Sequence, residues 1–439
     1  MKYTHLNSYN SPNTLLVITS IPAVKKNNEM RKGFNAIGWH SEKTLKSIAQ
    51  NRKIVVCAEK NDEASHTEGE IRIERIWTKS NPFSLFSVLS LIQELPQIQS
   101  VFVPFEFNVF GGILPNLVLL AVLFILRLMK KQVTVEVHQV ILDIAKLVKH
   151  VSITNPSLQL FFNLSLRIFY CSLGLVANSI IVFEEELKNR LLPFVKADKI
   201  QVLSLAIEQK KIVSQKQAQK KLGIPQNKFV IMVFGFINGY KGIDWLIDTF
   251  KQYKQKDIVL LIAGGKNPYL AQDKHYQRFY NSIIKSIGKD NRIVHTGFVP
   301  DKDVATCFSA CDLAVLPYEV FMSASGPFSL ALSYKKPIIL SQALSLYANS
   351  LDVQKCLEMA KITSQELFFP LEKEGFFQLV NKYKTSSSFL AKLTQFSSLL
   401  GTARSMKSVI KKYEYILFPN TSTVLFPEIK SAPCSLVLS

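Results

Sequence analysis

A chain of 439 residues exceeds one ordinary domain, and with 48% hydrophobic and 20% charged residues it can bury large cores rather than stay disordered. The formal charge of +20 is dispersed apart from a lysine patch at Lys210, Lys211, Lys216, Lys220 and Lys221. No zinc-finger, ribonucleoprotein or helix-turn-helix pattern accompanies it, so nucleic acid is not expected as a partner, whereas an anionic membrane surface or a phosphorylated substrate fits. Six cysteines without a CxxC or a pairing rhythm point to a reducing cytosol, and the polar start MKYTHLNSYNSPN lacks the apolar core of a signal peptide.

In chain order, the first half alternates short apolar runs with helical periodicity. The runs are LLVITS (15–20), KIVVCAE (53–59), IRIERIW (71–77), VFVPFE (101–106), QVTVEVH (132–138), SIIVFE (179–184) and KIQVLS (199–204). Strands alternating with helices predict βαβ units, and β-branched runs such as KIVVC suit parallel strands covered on both faces. Two greasy stretches interrupt this series. ILPNLVLLAVLFILRLMKK (113–131) holds an uninterrupted apolar run over 117–126, short of the ~20 residues of a spanning helix. A buried helix between two strands, a helix docked into a membrane face and a span all remain open for it. LQLFFNLSLRIFYCSLGLVA (158–177), broken by Asn163 and Arg167, reads as a core or interface helix.

The polar interval 207–228 reads as an inter-domain connection with one exposed helix, after which a second alternating series begins. It comprises FVIMVFG (229–235), DIVLLIAGG (257–265), RIVHTGFV (292–299), DLAVLPY (312–318) and KPIILS (336–341). The expected architecture is α/β, with two Rossmann-like doubly wound domains facing across a cleft. Residues 1–206 form the first domain, 207–228 the connection, 229–400 the second domain, and 401–439 a C-terminal helix and tail. Ligands of such sheets bind at the carboxyl ends of strands.

Two stretches of the second domain look like anion cradles. In FGFINGYKGIDWLIDTF (234–250), Gly235 closes a strand, Gly239 and Gly242 free the backbone, and Lys241 stands where a helix begins. In LPYEVFMSASGPFSLALSYKKPIIL (316–340), Ser323 or Ser325 can cap a helix with Pro327 in its first turn, so that amides around Ser325, Gly326 and Phe328 face an anion. Neither stretch is a Walker loop or a GxGxxG fingerprint. The formal DxD at Asp301 and Asp303 follows GFVP and precedes a helix, a setting for capping rather than for a metal. His138 ends its strand on the cleft side, Asp143 stands either beside a second substrate or as a helix cap, and His295 packs within a strand.

The order FGFINGYKGIDWLI, LLIAGG, IVHTGFVPDKDVATCFSACDLAVLPY and SGPFSLALSYKKPIIL resembles the C-terminal half of family-4 (group 1) glycosyltransferases of the GT-B fold. LLVITSIP, RKGFNAIGWHSEKTL, VTVEVHQ and ANSIIVFEEELKNRL resemble its acceptor domain more loosely. The resemblance implies transfer of a sugar from a nucleotide-sugar donor to a glycan or lipid-linked acceptor, with retention and without cofactor or obligatory metal; the cysteines place it in the cytoplasm, and the apolar run 117–126 with the net charge favours the inner membrane face. The resemblance also implies donor-diphosphate contact by Lys241, donor binding at Gly235, Gly239, Gly242, Gly264, Gly265, Ser325, Gly326 and Phe328, and a place for His138 near the sugar. Gly38 and Asp143 fall on the acceptor side. The sequence departs from the family where an arginine is usual, reading Phe236 or Asn238, and where two glutamates are usual, reading Met322 and Leu330; Glu319 is a nearby substitute out of register. A non-catalytic binding or scaffold protein of the same fold therefore stands as the alternative, and a nucleotide-sugar epimerase as a weaker one.

Overall fold

The computed structural model describes residues 3–21, 36–147 and 153–419. Two sheets account for its strands. The first has the order β3-β4-β2-β1-β5-β6-β7-β8 and the second β11-β10-β9-β12-β13-β14. In the first sheet the strands are β1 (Thr14–Thr19), β2 (Lys53–Glu59), β3 (His66–Glu68), β4 (Ile71–Trp77), β5 (Ser100–Phe105), β6 (Gln132–Val137), β7 (Ser179–Val182) and β8 (Ile200–Val202). Those of the second are β9 (Phe229–Phe234), β10 (Ile258–Ala263), β11 (Ile293–His295), β12 (Leu313–Leu316), β13 (Ile338–Ser341) and β14 (Phe368–Phe369). All pairings are parallel except the edge pair β3–β4. β1, β5 and β10 are buried along their whole length, as strands flanked by helices on both faces must be. Neither β3 nor the two-residue β14 carries a periodic pattern long enough to read from sequence.

Most of the expected strands end one or two residues early, β2, β4 and β13 end where expected, and β11 stops at His295 rather than at Val299. At Gly235 the backbone takes φ +105, a region closed to most side chains, and leaves β9 there. The helix of the polar interval, Gln215–Lys221, is not fully exposed: Ala218 and Gln219 are buried, and the Gln219 Nε2 donates to the Ala310 carbonyl at 3.3 Å. This packs it against the helix Asp301–Ala310 of the second lobe, where Lys221 pairs with Asp303 at 2.6 Å.

The C-terminal helix returns to the first sheet. Ser387–Ala403 belongs to the second lobe, and Met406–Leu417 then covers the first sheet, with Val409, Tyr413 and Leu417 in the same core as Leu15, Val17 and Ile54. Ser100 Oγ donates to the Leu417 carbonyl at 2.6 Å, and Tyr413 meets Phe102 edge-on at 6.0 Å.

The chain thus crosses between the lobes twice, and the crossings lie side by side. Ile207 N–H donates to the Arg404 carbonyl at 2.8 Å, and Met406 N–H returns to the Ile207 carbonyl at 3.0 Å. Beside them the Arg404 guanidinium, 4% exposed, grips Glu184 beyond β7 (2.6 and 3.1 Å) and Asp352 of the second lobe (2.7 and 3.1 Å). Burial pushes the Glu184 carboxyl above its ordinary value despite Arg404; burial also raises Asp352, but the guanidinium outweighs it and holds that group below its own. Replacing Arg404 with Met strands two carboxylates in this setting. The expected loss of unfolding free energy is about 3–5 kcal/mol, measurable by urea denaturation; a loss under about 1 kcal/mol would show that water already screens the cluster.

Candidate functional site

Between the lobes, the structure joins the two cradles read from the sequence. The short 3-10 turn Gly239–Lys241 is followed by Gly242 in the left-handed region (φ +63), from which the helix Ile243–Gln252 starts. A Cβ on Gly242 would stand 2.0 Å from the Pro317 carbonyl oxygen, so this glycine seats the loop against the end of β12. Lys241 is 6% exposed, and its ammonium points back across the loop: a Cβ built on Gly235 would lie 3.0 Å from Lys241 Nζ and 3.2 Å from Pro327 Cγ. One cation therefore sits between the end of β9 and the first turn of the helix Gly326–Ser333. Among the described residues it has no ion pair, and it lies 5.9 Å from the centroid of the Tyr318 ring. Burial pulls the ammonium down to about 8.

At the second cradle the expectation needs correction. Of the three amides expected to face an anion, Ser325 N–H is held by the Tyr347 hydroxyl at 2.9 Å and Phe328 N–H by Ser325 Oγ at 3.3 Å. Ser325 is the helix cap, and the Phe328 ring is buried against Tyr347. The Gly326 amide remains. Gly326 is exposed, and a Cβ there would meet nothing within 4 Å, so open space lies before the helix terminus.

The other glycines act by close approach. A Cβ on Gly264 would stand 2.0 Å from the Gly235 carbonyl oxygen and one on Gly265 2.5 Å from Phe298 N, so both press neighbouring strand ends together. Gly239 is buried inside its turn. Glu319 lies half-buried beside the loop, its N–H donating to the Tyr240 carbonyl at 2.8 Å. At the places where an arginine is usual, Phe236 stacks on Phe298 (6.2 Å between centroids) and Asn238 accepts from Asn267 at 3.0 Å.

Opposite stand the ends of β5, β6 and β7. His138 follows β6 at the cleft side, but its ring turns inward: Nε2 is 2.7 Å from Glu136 Oε1, and the ring edge meets Phe183 and His40. Glu136, in turn, accepts from the Tyr413 hydroxyl of the returning helix. Burial raises Glu136, but the hydrogen bond from His138, the charges of both histidines and the Tyr413 contact bring it below its ordinary value; burial takes His40 down to about 4. A ring held this way fixes the strand end and is poorly placed for proton transfer. Asp143 takes the capping alternative, accepting from Ala145 N–H at 3.0 Å before the short 3-10 turn Ile144–Leu147. Gly38 lies in the helix Ala36–Ile48, not in a loop, and residues 22–35 lie outside the described residues. His295 packs at the strand end, where its Nε2 donates to the Gly264 carbonyl at 2.9 Å.

Cross-lobe ties close the cleft beside these residues. Gln139 forms an isolated antiparallel bridge with Ser323, and Arg190 donates to the Phe321 carbonyl at 3.0 Å and the Val140 carbonyl at 3.1 Å. Next to the bridge stands Glu106, at the carboxyl end of β5. It precedes the turn Phe107–Phe110 without capping it, accepts from Gln139 Nε2 at 3.1 Å, and is pushed above its ordinary pKa by burial, against the charges of His138 and Lys79. Its charge also reaches Tyr240 and Tyr269 of the second lobe. Sequence reading passed over Glu106 as the last residue of VFVPFE, although the strand-end rule that selected His138 selects it equally. Among the described residues no three His, Cys, Asp or Glu side chains gather as a metal site would require. A separate cavity of about 580 Å³, lined by Gln342, Phe369, Gly375 and Lys382, lies at the β14 edge, away from the cleft.

Comparison with known proteins places this geometry. Residues 214–348 match the family of glycosyl transferases group 1. The whole fold superposes on the sucrose-phosphate synthase of Thermosynechococcus elongatus with TM-score 0.67 and 14% identity, over 92% of this chain and 98% of the other. It superposes on Anabaena HepE in complex with UDP and glucose with TM-score 0.63 and 14% identity, over 92% and 99%. The fold is GT-B, and its second lobe carries a group 1 glycosyltransferase domain. Among curated relatives, a GDP-mannose:glycolipid 4-beta-D-mannosyltransferase of Xanthomonas campestris pv. campestris is 32% identical over 110 residues. That match spans 25% of this chain and 29% of the relative. Lys241, Gly242 and Gly326 all fall inside the group 1 domain, whereas Glu106 and His138 lie in the other lobe.

The buried ammonium gives the GT-B cleft a pH signature. In the free protein Lys241 is half-protonated at about pH 8, and a bound diphosphate favours the charged form. Binding of a nucleoside diphosphate at that pH is expected to take up a fraction of a proton, and above it the affinity falls toward about tenfold per pH unit. Calorimetry in buffers of different ionisation enthalpy reads the uptake; Lys241→Met removes it. A buffer-independent enthalpy in the wild type would place the anion elsewhere.

Proposed function

We propose that this protein is a glycosyltransferase that moves a sugar from a nucleotide-sugar donor to a glycan or lipid-linked acceptor, in the cytoplasm at the inner face of a membrane. The observation that carries this reading is Lys241, a buried cation with no ion pair among the described residues, aimed between the end of β9 and the open N-terminus of the helix Gly326–Ser333. As the bond to the donor sugar breaks, negative charge grows on the leaving diphosphate, and a fixed cation, the Gly326 amide and the helix dipole stabilise it. The Xanthomonas relative is named for a GDP-mannose donor and a glycolipid acceptor, and Anabaena HepE was captured with UDP and glucose, which supports a nucleotide-sugar donor here. Polysaccharide or glycolipid synthesis is the corresponding role, with retention at the anomeric carbon as the resemblance implies.

We assign no metal to the reaction. The DxD carboxylates occupy the first turn of the helix Asp301–Ala310, and Asp303 is engaged by Lys221. On the acceptor side Glu106 is the carboxylate best placed to accept a hydrogen bond from the attacking hydroxyl, since it stands at a strand end, faces the second lobe and is not consumed as a helix cap. One observation favours the binding-protein reading: an aromatic stack and an amide pair fill the places of the usual arginine, and Met322 and Leu330 those of the glutamates.

Titration of the purified protein with UDP, GDP and ADP separates the readings. One nucleotide is expected to bind, and Lys241→Ala to cost about 1.5–3 kcal/mol of affinity, on the order of 10- to 100-fold. Gly326→Asp is expected to abolish binding by placing an anion in the open space; a folded protein that binds none of the three leaves only the fold. With the matching nucleotide sugar and a lipid-linked acceptor, Glu106→Gln is expected to lower kcat on the order of a hundredfold at unchanged nucleotide affinity. Equal kcat in the variant would remove Glu106 from the reaction, and binding without transfer would favour the scaffold.

A further inference from the structure

The two greasy stretches of the first lobe do not vanish into the core. The helix Ile113–Leu128 crosses over from β5 to β6, and Pro156–Val176 from β6 to β7, so each lays one face on the sheet: Val118, Val122 and Leu126 in the first, Phe169, Tyr170 and Leu173 in the second. That commitment to the sheet keeps both helices from crossing a bilayer, although Pro156–Val176 is long and apolar enough by composition. Their outer faces are apolar as well. On the first, Leu117, Phe124 and Leu128 form a solvent stripe, with Leu128 67% exposed. On the second, Leu160, Phe161, Leu164, Ile168 and Leu175 recur at helical spacing, with Leu160 71% and Leu175 79% exposed. Packed beside them, the turn Pro82–Phe86 adds Phe83, 60% exposed. Surface helices of a soluble protein place polar residues on this side, and contiguous apolar patches mark interaction sites.

Charge identifies the occupant. Neither helix carries an acidic residue, and between residues 107 and 183 the only acids are Glu136 and Asp143, the first buried, against six lysines and arginines. Exposed Arg167, Lys130 and Lys196 stand on or near the stripes, with Arg127 close to Lys199 at the end of the helix pair. An apolar face whose rim is cationic on balance, with Asp198 the exposed acid beside Lys196 and Lys199, complements an anionic bilayer. The first helix follows the end of β5 at Phe105 beside Glu106, and the second is tied to the segment after His138, where Ile141 N–H donates to the Tyr170 hydroxyl and Ile144 N–H to Asn163 Oδ1, both at 2.9 Å.

The geometry points to a monotopic membrane-docking surface, formed by the outer faces of Ile113–Leu128 and Pro156–Val176 with Phe83, that rests in the interface of an anionic bilayer and holds the cleft mouth at its rim. Docking stands independently of the chemistry; that the rim then meets a lipid-linked acceptor rests on the transferase reading above.

The test is cosedimentation of the full chain with vesicles of phosphatidylcholine alone or mixed with phosphatidylglycerol, alongside Leu160→Glu/Ile168→Glu and Phe124→Glu variants. The wild type is expected to partition onto the mixed vesicles at least about tenfold more strongly than onto phosphatidylcholine, less so as salt rises. Both variants are expected to lose on the order of tenfold at unchanged Tm, because the altered residues are exposed. No partitioning by the wild type, or equal partitioning by the variants, overturns the proposal. So does a wild-type dimer in sedimentation velocity that the same substitutions dissociate, which would give the face to a second copy. Nucleotide affinity read in the same preparations reports the donor site separately, so loss of one reading is distinguishable from loss of the other.

Discussion

The Arg404 cluster is the constraint on which the cleft depends. The chain leaves the first lobe near Ile207 and re-enters it near Met406, and at that double crossing one guanidinium ties the end of β7 to the helix Leu351–Ala360 of the second lobe. Ion pairs this deeply buried add little net stability over an apolar core, but once built they tolerate no missing partner. The arrangement therefore sets geometry more than it adds free energy. With the crossings pinned, the carboxyl ends of β5 to β7 face those of β9 and β12, and the smaller ties from Gln139 to Ser323 and from Arg190 to Phe321 fall into place.

Within that frame the donor-side site is economical. Gly242 and Gly264 let backbone approach backbone where any side chain would collide, and those contacts aim Lys241 at the Gly326 helix. Burial weakens the ammonium in the free protein, and among the described residues no carboxylate pairs with it, so an anion that restores the charge gains a partner. An aromatic stack and an amide pair fill the places of the missing arginine, and Met322 and Leu330 stand where glutamates are usual, which leaves Lys241 and the helix terminus as the positive groups of the two cradles.

The first lobe combines two unlike surfaces. Its sheet presents Glu106 and the Glu136–His138 pair at the cleft, while its crossover helices carry leucine and phenylalanine to the outside. His138 shows how a strand-end residue can occupy the expected place and still face the wrong way: Tyr413, 275 positions later in the chain, presents its hydroxyl to Glu136, the carboxylate that holds the ring.

The sequence by itself determined the alternation of strands and helices, the division into two parallel sheets and the position of the lysine loop, because these follow from local periodicity and from glycines at strand ends. It also carried the resemblance to GT-B enzymes, in the order of motifs along the second half. Tertiary structure alone decided which groups in those motifs remain available. Ser325 and Phe328 amides are consumed by Tyr347 and by the Ser325 cap, Asp143 by its own turn, and His138 by Glu136, each through a partner that periodicity cannot locate. Exposure of Leu160 and Leu175 was likewise hidden, since an apolar residue reads the same on either face of a helix until the sheet it packs against is known.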